Sequence, residues 1–138
     1  MNKFKFLLLF TGVLFVTCLQ AQKVQFKQVD KDKKVEVFVD NKFFTAFIYP
    51  DNMEKQSLYP IIASSGKIIT RGYPLEARPF ERTDHPHHVG MWFNFGDVNG
   101  LDFWNNSFAI PENEKHKYGT VRFIKILEQK NGETGKLS

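Results

Sequence analysis

Apolar side chains recur at every second position in two stretches of this chain. Val35, Val37 and Val39 alternate with polar residues, and a similar alternation returns over 89–95. Residues on one face of a strand repeat in this way, whereas an amphipathic helix repeats its apolar positions every three or four residues. The helical spacing is not found after residue 21, so the sequence predicts an all-β protein. Its 15 Phe, 4 Tyr and 2 Trp favour the same conclusion, because aromatic side chains suit half-buried strands.

Turn signals separate the predicted strands. The pair Asp40-Asn41 lies between two of them and predicts a β-hairpin. The predicted strands are 24–26, 35–39, 43–49, 60–63, 67–70, 89–95 and 121–127. A chain of 138 residues has room for about one domain. We therefore expect a single domain over 22–138, folded as an antiparallel β-sandwich.

The end of the sequence predicts that this sandwich is incomplete. Residues 129–135 have the composition of a hairpin connection, and we expect the chain to stop before a returning strand can form. On this interpretation the chain is an N-terminal fragment of a larger sandwich. Its missing edge partners, and some residues of its site, would then lie beyond Ser138.

The first 21 residues have the composition of a signal peptide. Lys3 and Lys5 precede an apolar run over 6–16, and small Ala21 precedes the predicted cleavage point. About 11 apolar residues are too few for a membrane span, which needs about 20, so we predict no transmembrane segment in the mature chain. We expect export to the periplasm or the medium, and a lipoprotein acylated at Cys18 is the less favoured alternative. Removal of the two lysines lowers the formal charge from +4 to about +2, which excludes a nucleic-acid-binding surface.

The densest concentration of reactive side chains is the sequence Asp84-His85-Pro86-His87-His88. Pro86 favours an extended backbone, in which His85 and His87 share one face and Asp84 and His88 lie on the other. Two imidazoles on one strand could ligate a divalent transition metal, so His85 and His87 are candidate metal ligands. Alternatively, the imidazoles and Asp84 act as general acids and bases or bind substrate hydroxyls without a metal. A purely structural role at a loop junction is the third alternative.

Aromatic and polar residues near these histidines indicate a carbohydrate site. Flat indole rings stack on sugar rings, and Asp and Asn side chains hydrogen-bond to hydroxyls. The candidate substrate-binding residues are Arg71, Trp92, Asp97, Asn99 and Trp104. Their structural alternatives are a core position for the tryptophans and a turn for the Asp and Asn. Phe93 and Phe95 are predicted to lie in the core.

Five segments together resemble a family of exported bacterial proteins that is catalogued as "methane oxygenase PmoA", a domain of unknown function. They are 65–67, 70–74, 84–88, 90–93 and 96–104. The resemblance implies an exported β-sandwich similar to the galactose-mutarotase-like sandwiches of bacteria that degrade polysaccharides. Position 89 is Val where the family more often has a basic residue. The family's name describes a membrane-embedded copper enzyme, and the mature chain has no segment for such a site.

These observations predict an exported carbohydrate-active protein of hydrolase, lyase or epimerase type. His85, His87 and His88 would form its site, and Asp84 would orient an imidazole. One alternative is the metal-dependent oxygenase that the family's name suggests. The other is a non-catalytic carbohydrate-binding module, in which the tryptophans provide the affinity. The expected partner is a carbohydrate or another small-molecule substrate.

Overall fold

A computed structural model describes residues 22–138. The protein is all-β and antiparallel, as predicted. Its largest sheet has four strands in the order β1-β2-β3-β4, and two hairpins of very short strands follow. The strands are β1 (Val24–Val29), β2 (Lys34–Val39), β3 (Lys42–Ile48), β4 (Ser57–Leu58), β5 (Asp97–Val98), β6 (Leu101–Asp102), β7 (Gln129–Lys130) and β8 (Lys136–Leu137). Two 3₁₀ helices occupy Asp30–Asp32 and Glu112–Lys117. The face-to-face packing of two sheets that defines a sandwich stays a prediction.

The predicted hairpin is confirmed in β2 and β3. Asp40 and Asn41 join the two strands, and their φ angles of 50° and 62° are the left-handed values that a tight hairpin turn needs at both central positions. Val35 and Val37 are buried at alternate positions of β2, so the period of two identifies the core face correctly. Ala46 on β3 is buried as well.

The predicted strand over 89–95 does not form. Met91 makes an isolated bridge to Leu58, and Phe93 and Phe95 are 95% and 66% exposed, so their core assignment is wrong. The Asn94 side chain donates to the Phe103 carbonyl at 2.6 Å and accepts from the Phe95 N–H at 2.9 Å. Such local side-chain bonds compete with strand pairing and leave this segment irregular.

Three other predicted strands are also corrected. The runs 60–63 and 67–70 form one isolated bridge, between Ile62 and Ile68, and the Thr70 hydroxyl also accepts a hydrogen bond from the Ile61 N–H at 3.1 Å. Residues 121–127 form no strand, although the Phe123 ring stacks on Tyr49 with centroids 3.8 Å apart. The C-terminal hairpin does form, because β8 returns along β7, so the expectation that no returning strand would be made is wrong.

Each helix within residues 22–138 is too short or too polar to span a membrane. The predicted signal peptide and Cys18 lie outside the described residues.

Gly90 fixes the position of the histidine-bearing loop against the sheet. Its φ is +56°, and a Cβ atom there would lie 2.5 Å from the Leu58 carbonyl oxygen and 2.7 Å from the Ser57 Oγ. We expect Gly90→Ala to lower the free energy of unfolding by about 2 kcal/mol, because it adds both backbone strain and a clash with main chain. Chemical denaturation measures this change.

Gly96→Ala is the matched control, because a Cβ atom at Gly96 would meet nothing within 4 Å. We expect this control to change stability by no more than about 0.5 kcal/mol. Equal losses in the two variants would show that the close approach at Gly90 does not constrain the fold.

Candidate functional site

The sequence Asp84-His85-Pro86-His87-His88 forms a turn rather than an extended strand, which corrects the predicted alternation. His85 has a φ of 52°, and its carbonyl accepts a hydrogen bond from the His88 N–H at 3.0 Å. This turn brings the three imidazoles together. Ring centroids lie 5.0 Å apart for His85 and His88, 4.3 Å for His87 and His88, and 5.7 Å for His85 and His87.

The two tryptophans extend this group of rings. His88 lies 5.3 Å from Trp92 and 6.3 Å from Trp104, and the two indoles are 5.4 Å apart. Trp104 is 41% exposed, whereas Trp92 is half-buried. We call these five residues, His85, His87, His88, Trp92 and Trp104, the His–Trp cluster. It joins three neighbouring histidines to two tryptophans that lie farther along the chain.

Arg71 hydrogen-bonds to the main chain of the turn over residues 84–88, which we call the histidine turn. Its Nε donates to the Tyr73 carbonyl at 3.0 Å, and its Nη2 donates to the carbonyls of Asp84 and His85, the latter at 3.0 Å. Its Nη1 lies 3.3 Å from Asp84 Oδ1. These bonds occupy four of the five guanidinium N–H groups. Arg71 is therefore a positioning residue for the turn, with little capacity left for the predicted contact with substrate.

Asp84 is an ionised carboxylate that orients one imidazole. Its Oδ2 lies 3.2 Å from His85 Nδ1 and 2.8 Å from Arg82. Burial acts to raise the pKa of Asp84, but the charges of Arg82 and His85 and the hydrogen bonds from Arg71 and His85 outweigh it, so this pKa is lowered. The predicted orienting role of Asp84 fits this geometry.

His87 and His88 have lowered pKa values. Burial is the largest cause for both, and the positive charges of nearby imidazoles and of Lys55 add to it. Both rings are therefore mostly neutral at pH 7. A neutral imidazole can accept a proton from a hydroxyl group, which is the chemistry of a general base.

Asp97 begins β5, and Asn99 lies in the turn that joins β5 to β6. Asp97 Oδ1 accepts the Gly100 N–H at 2.9 Å, and Asn99 has a φ of 55°. Both side chains are exposed. Asp97 nevertheless lines an open cavity of about 480 Å³ together with Asp102 and Trp104. Asp97 therefore makes the local bond of the structural alternative and also lines the cavity, whereas Asn99 does not line the cavity.

Lys55 belongs to the site and was missed by sequence reasoning. Its side chain is 3% exposed, its Nζ donates to the Trp104 carbonyl at 2.7 Å, and it lies 5.7 Å from the centre of the Trp92 ring. Burial lowers the pKa of Lys55 to about 8. The neighbouring residues Glu54 and Gln56 are polar, so nothing in the local sequence distinguishes this lysine from a surface residue.

The described residues do not fit a metal with three or more protein ligands. Within 22–138, no group of three or more His, Cys, Asp and Glu side chains is arranged to hold a metal ion. The His85 and His88 rings stack with an interplanar angle of 21°. Ligation by His85 and His87 stays a prediction that metal analysis can test.

Position 89, where the resemblance leads one to expect a basic residue, is occupied by a buried valine. Val89 is 8% exposed, and its carbonyl accepts a hydrogen bond from the Ser57 hydroxyl. An apolar side chain suits this enclosed position between the histidine turn and β4.

Comparison with known proteins gives a family but no function. No curated protein and no solved structure matches the chain. A family model matches residues 34–138, which include the sheet from β2 onward and the whole His–Trp cluster, and its description is "Family of unknown function (DUF6807)". Nothing in that description confirms the resemblance to the PmoA family, which stays a prediction. The chain belongs to the family of unknown function DUF6807.

Proposed function

We propose that this protein is an exported carbohydrate-active protein of hydrolase, lyase or epimerase type, with the His–Trp cluster as its site. The observation that carries the proposal is the exposed Trp104 ring, which lines an open cavity with Asp97 and Asp102 and lies 6.3 Å from the mostly neutral His88 imidazole. An exposed indole face provides a stacking surface for the apolar side of a sugar ring. Carboxylates at its edge accept hydrogen bonds from sugar hydroxyls.

In this proposal, some residues of the site bind the sugar and others transfer a proton. Trp104 binds the sugar ring, and Asp97 and Asp102 accept from its hydroxyls. His87 is the general base, since burial keeps its imidazole mostly neutral at pH 7. Arg71 and Asp84 hold the turn and orient His85.

A non-catalytic sugar-binding module is the second candidate. The exposure of Trp104 favours it, because stacking alone can provide affinity without proton transfer. His87→Ala separates the two functions. An enzyme loses turnover and keeps sugar binding, whereas a module has no turnover to lose.

A glycan-binding screen tests the proposal on the whole protein. We expect Trp104→Ala to weaken sugar binding about tenfold, since a stacked aromatic contributes roughly 1–2 kcal/mol to binding. Phe80→Ala is the control, because Phe80 is fully exposed and lies outside the His–Trp cluster. We expect this control to bind as the unmodified protein does. No binding or turnover of any glycan by the unmodified protein would refute the proposed function.

A further inference from the structure

Lys55 is a buried cation beside the His–Trp cluster that the proposed proton transfer does not use. It is 3% exposed, and an ammonium group has three N–H donors. The Trp104 carbonyl accepts one of them at 2.7 Å. Within residues 22–138, no other acceptor forms a hydrogen bond with the Lys55 side chain. Two donors of a buried charge are therefore left without a partner.

The charge of Lys55 is also uncompensated at short range. Among the described residues, no carboxylate oxygen lies within the 4.0 Å of an ion pair with its Nζ. Glu54 and Asp102 act on it from farther away. The Asp102 oxygens already accept from the Asn105 N–H at 2.9 Å and from the Asn105 side-chain amide at 2.6 Å. A buried charge without a carboxylate partner is costly, and the Trp104 carbonyl and the face of the Trp92 ring compensate it only in part.

A second buried donor without a partner is found on the neighbouring tryptophan. The Nε1 atom of Trp92 is buried and has no hydrogen-bond acceptor among the described residues. The Lys55 ammonium lies 5.7 Å from the centre of the same ring. Indole and ammonium groups donate and cannot accept, so a group that satisfies both must bring acceptor oxygens. A carboxylate or a sulfate offers several such oxygens together with the negative charge that Lys55 lacks.

We propose that the site selects sugars that carry a negatively charged group, a carboxylate or a sulfate, whose oxygens accept from Lys55 Nζ and Trp92 Nε1. This inference rests on the proposed function and names its substrate class. Trp104 binds the face of the sugar ring, while Lys55 and Trp92 bind the charged substituent. Asp84 does not neutralise the charge of Lys55, because its carboxylate is already bound by Arg71 and Arg82.

The titration of Lys55 predicts how this preference depends on pH. Burial lowers the pKa of Lys55 to about 8, and the negative charges of Glu54 and Asp102 oppose the shift. The ammonium form is therefore present below pH 8 and is lost as the pH rises through that value. His87 and His88 are the other titrating groups near Lys55, and both become cationic only below their usual pKa. We expect the preference for acidic sugars to fall between pH 7 and 9.

Isothermal titration with matched sugars tests the inference. The first pair is oligogalacturonate and its methyl ester, and the second is a sulfated galactan oligosaccharide and its unsulfated form. We expect the full protein to bind the charged member of one pair about tenfold more tightly than the neutral member at pH 7. A preference within the first pair identifies a carboxylate as the charged group, and a preference within the second identifies a sulfate. Lys55→Gln keeps a donor for the Trp104 carbonyl and removes the charge, so it should reduce this preference to about twofold. Lys42→Gln changes an exposed lysine on β3 and should leave the preference intact.

Equal binding of the charged and neutral members of both pairs by the unmodified protein would refute the inference and leave the proposed function standing. A preference that survives in Lys55→Gln would refute it too. Failure to bind any of the four sugars, with no glycan found in the wider screen, counts against the proposed function itself. If Lys55→Gln does not fold, Trp92→Phe decides, since it removes the indole N–H and keeps an aromatic ring. An unchanged preference in Trp92→Phe then overturns the inference.

Discussion

Replacing His85 and His87 together by glutamine is expected to lower sugar turnover or binding at least about tenfold while the protein stays folded. Glutamine keeps the polarity and the approximate size of the side chain, but it cannot take up a proton at neutral pH. His85 is exposed and His87 is half-buried, so neither ring is part of the small core around Val35 and Val37. We expect the free energy of unfolding to change by less than about 2 kcal/mol.

The control for this double substitution is His116→Gln. His116 lies exposed in the 3₁₀ helix Glu112–Lys117, outside the His–Trp cluster. It should change neither stability nor function measurably. If the double variant fails to fold while its residual native fraction keeps normal turnover and normal sugar binding, the histidine turn has a structural role only.

The hairpin of β2 and β3 could be predicted from sequence because local signals decide it. Val35 and Val37 give the period of two, and Asp40-Asn41 supplies two residues that tolerate a left-handed backbone. These determinants lie within a few positions of one another. Short-range patterns are sufficient for such an element.

The segment 89–95 shows where the same pattern misleads. Its apolar and polar residues alternate as in a strand. The Asn94 side chain, however, hydrogen-bonds to the main chain of Phe95 and Phe103, and these main-chain groups are then not free for strand pairing. Phe93 and Phe95 are consequently exposed. The partner at Phe103 lies nine positions away, beyond what the alternation alone can indicate.

The sequence identified residues 84–88 as a candidate site, which stays a prediction, but the extended geometry predicted for them was wrong. The extended backbone that Pro86 favours is overridden at His85, whose carbonyl bonds both to Arg71 and to the His88 N–H. The resulting left-handed residue brings all three imidazoles together. The burial of Lys55 could not be predicted from the neighbouring sequence at all, because it depends on Trp92 and Trp104, which lie far along the chain.

The largest expected loss of stability among single substitutions at the site is that of Arg71→Met. This change removes the donors to three main-chain carbonyls and to the Asp84 carboxylate. The bonds to the Tyr73 carbonyl and to both Asp84 acceptors are partly shielded from water, whereas the bond to the His85 carbonyl is exposed. Polar groups that lose their partners in such surroundings each cost roughly 1 kcal/mol or more. We therefore expect the free energy of unfolding to fall by about 3 kcal/mol. Chemical denaturation measures this, and sugar binding should fall as the turn loses its position.

Arg82→Met is the matched control, because Arg82 also pairs with Asp84 but its side chain is 85% exposed. Exposed ion pairs contribute little, so we expect this variant to lose about 0.5 kcal/mol. Arg71→Lys should not restore binding, since a lysine ammonium cannot reproduce the planar fork of donors that reaches Tyr73, Asp84 and His85 together. If Arg71→Met is as stable as Arg82→Met, or if Arg71→Lys binds sugar normally, the turn does not depend on the guanidinium group. Arg71 would then be available to contact substrate directly, as the sequence first suggested.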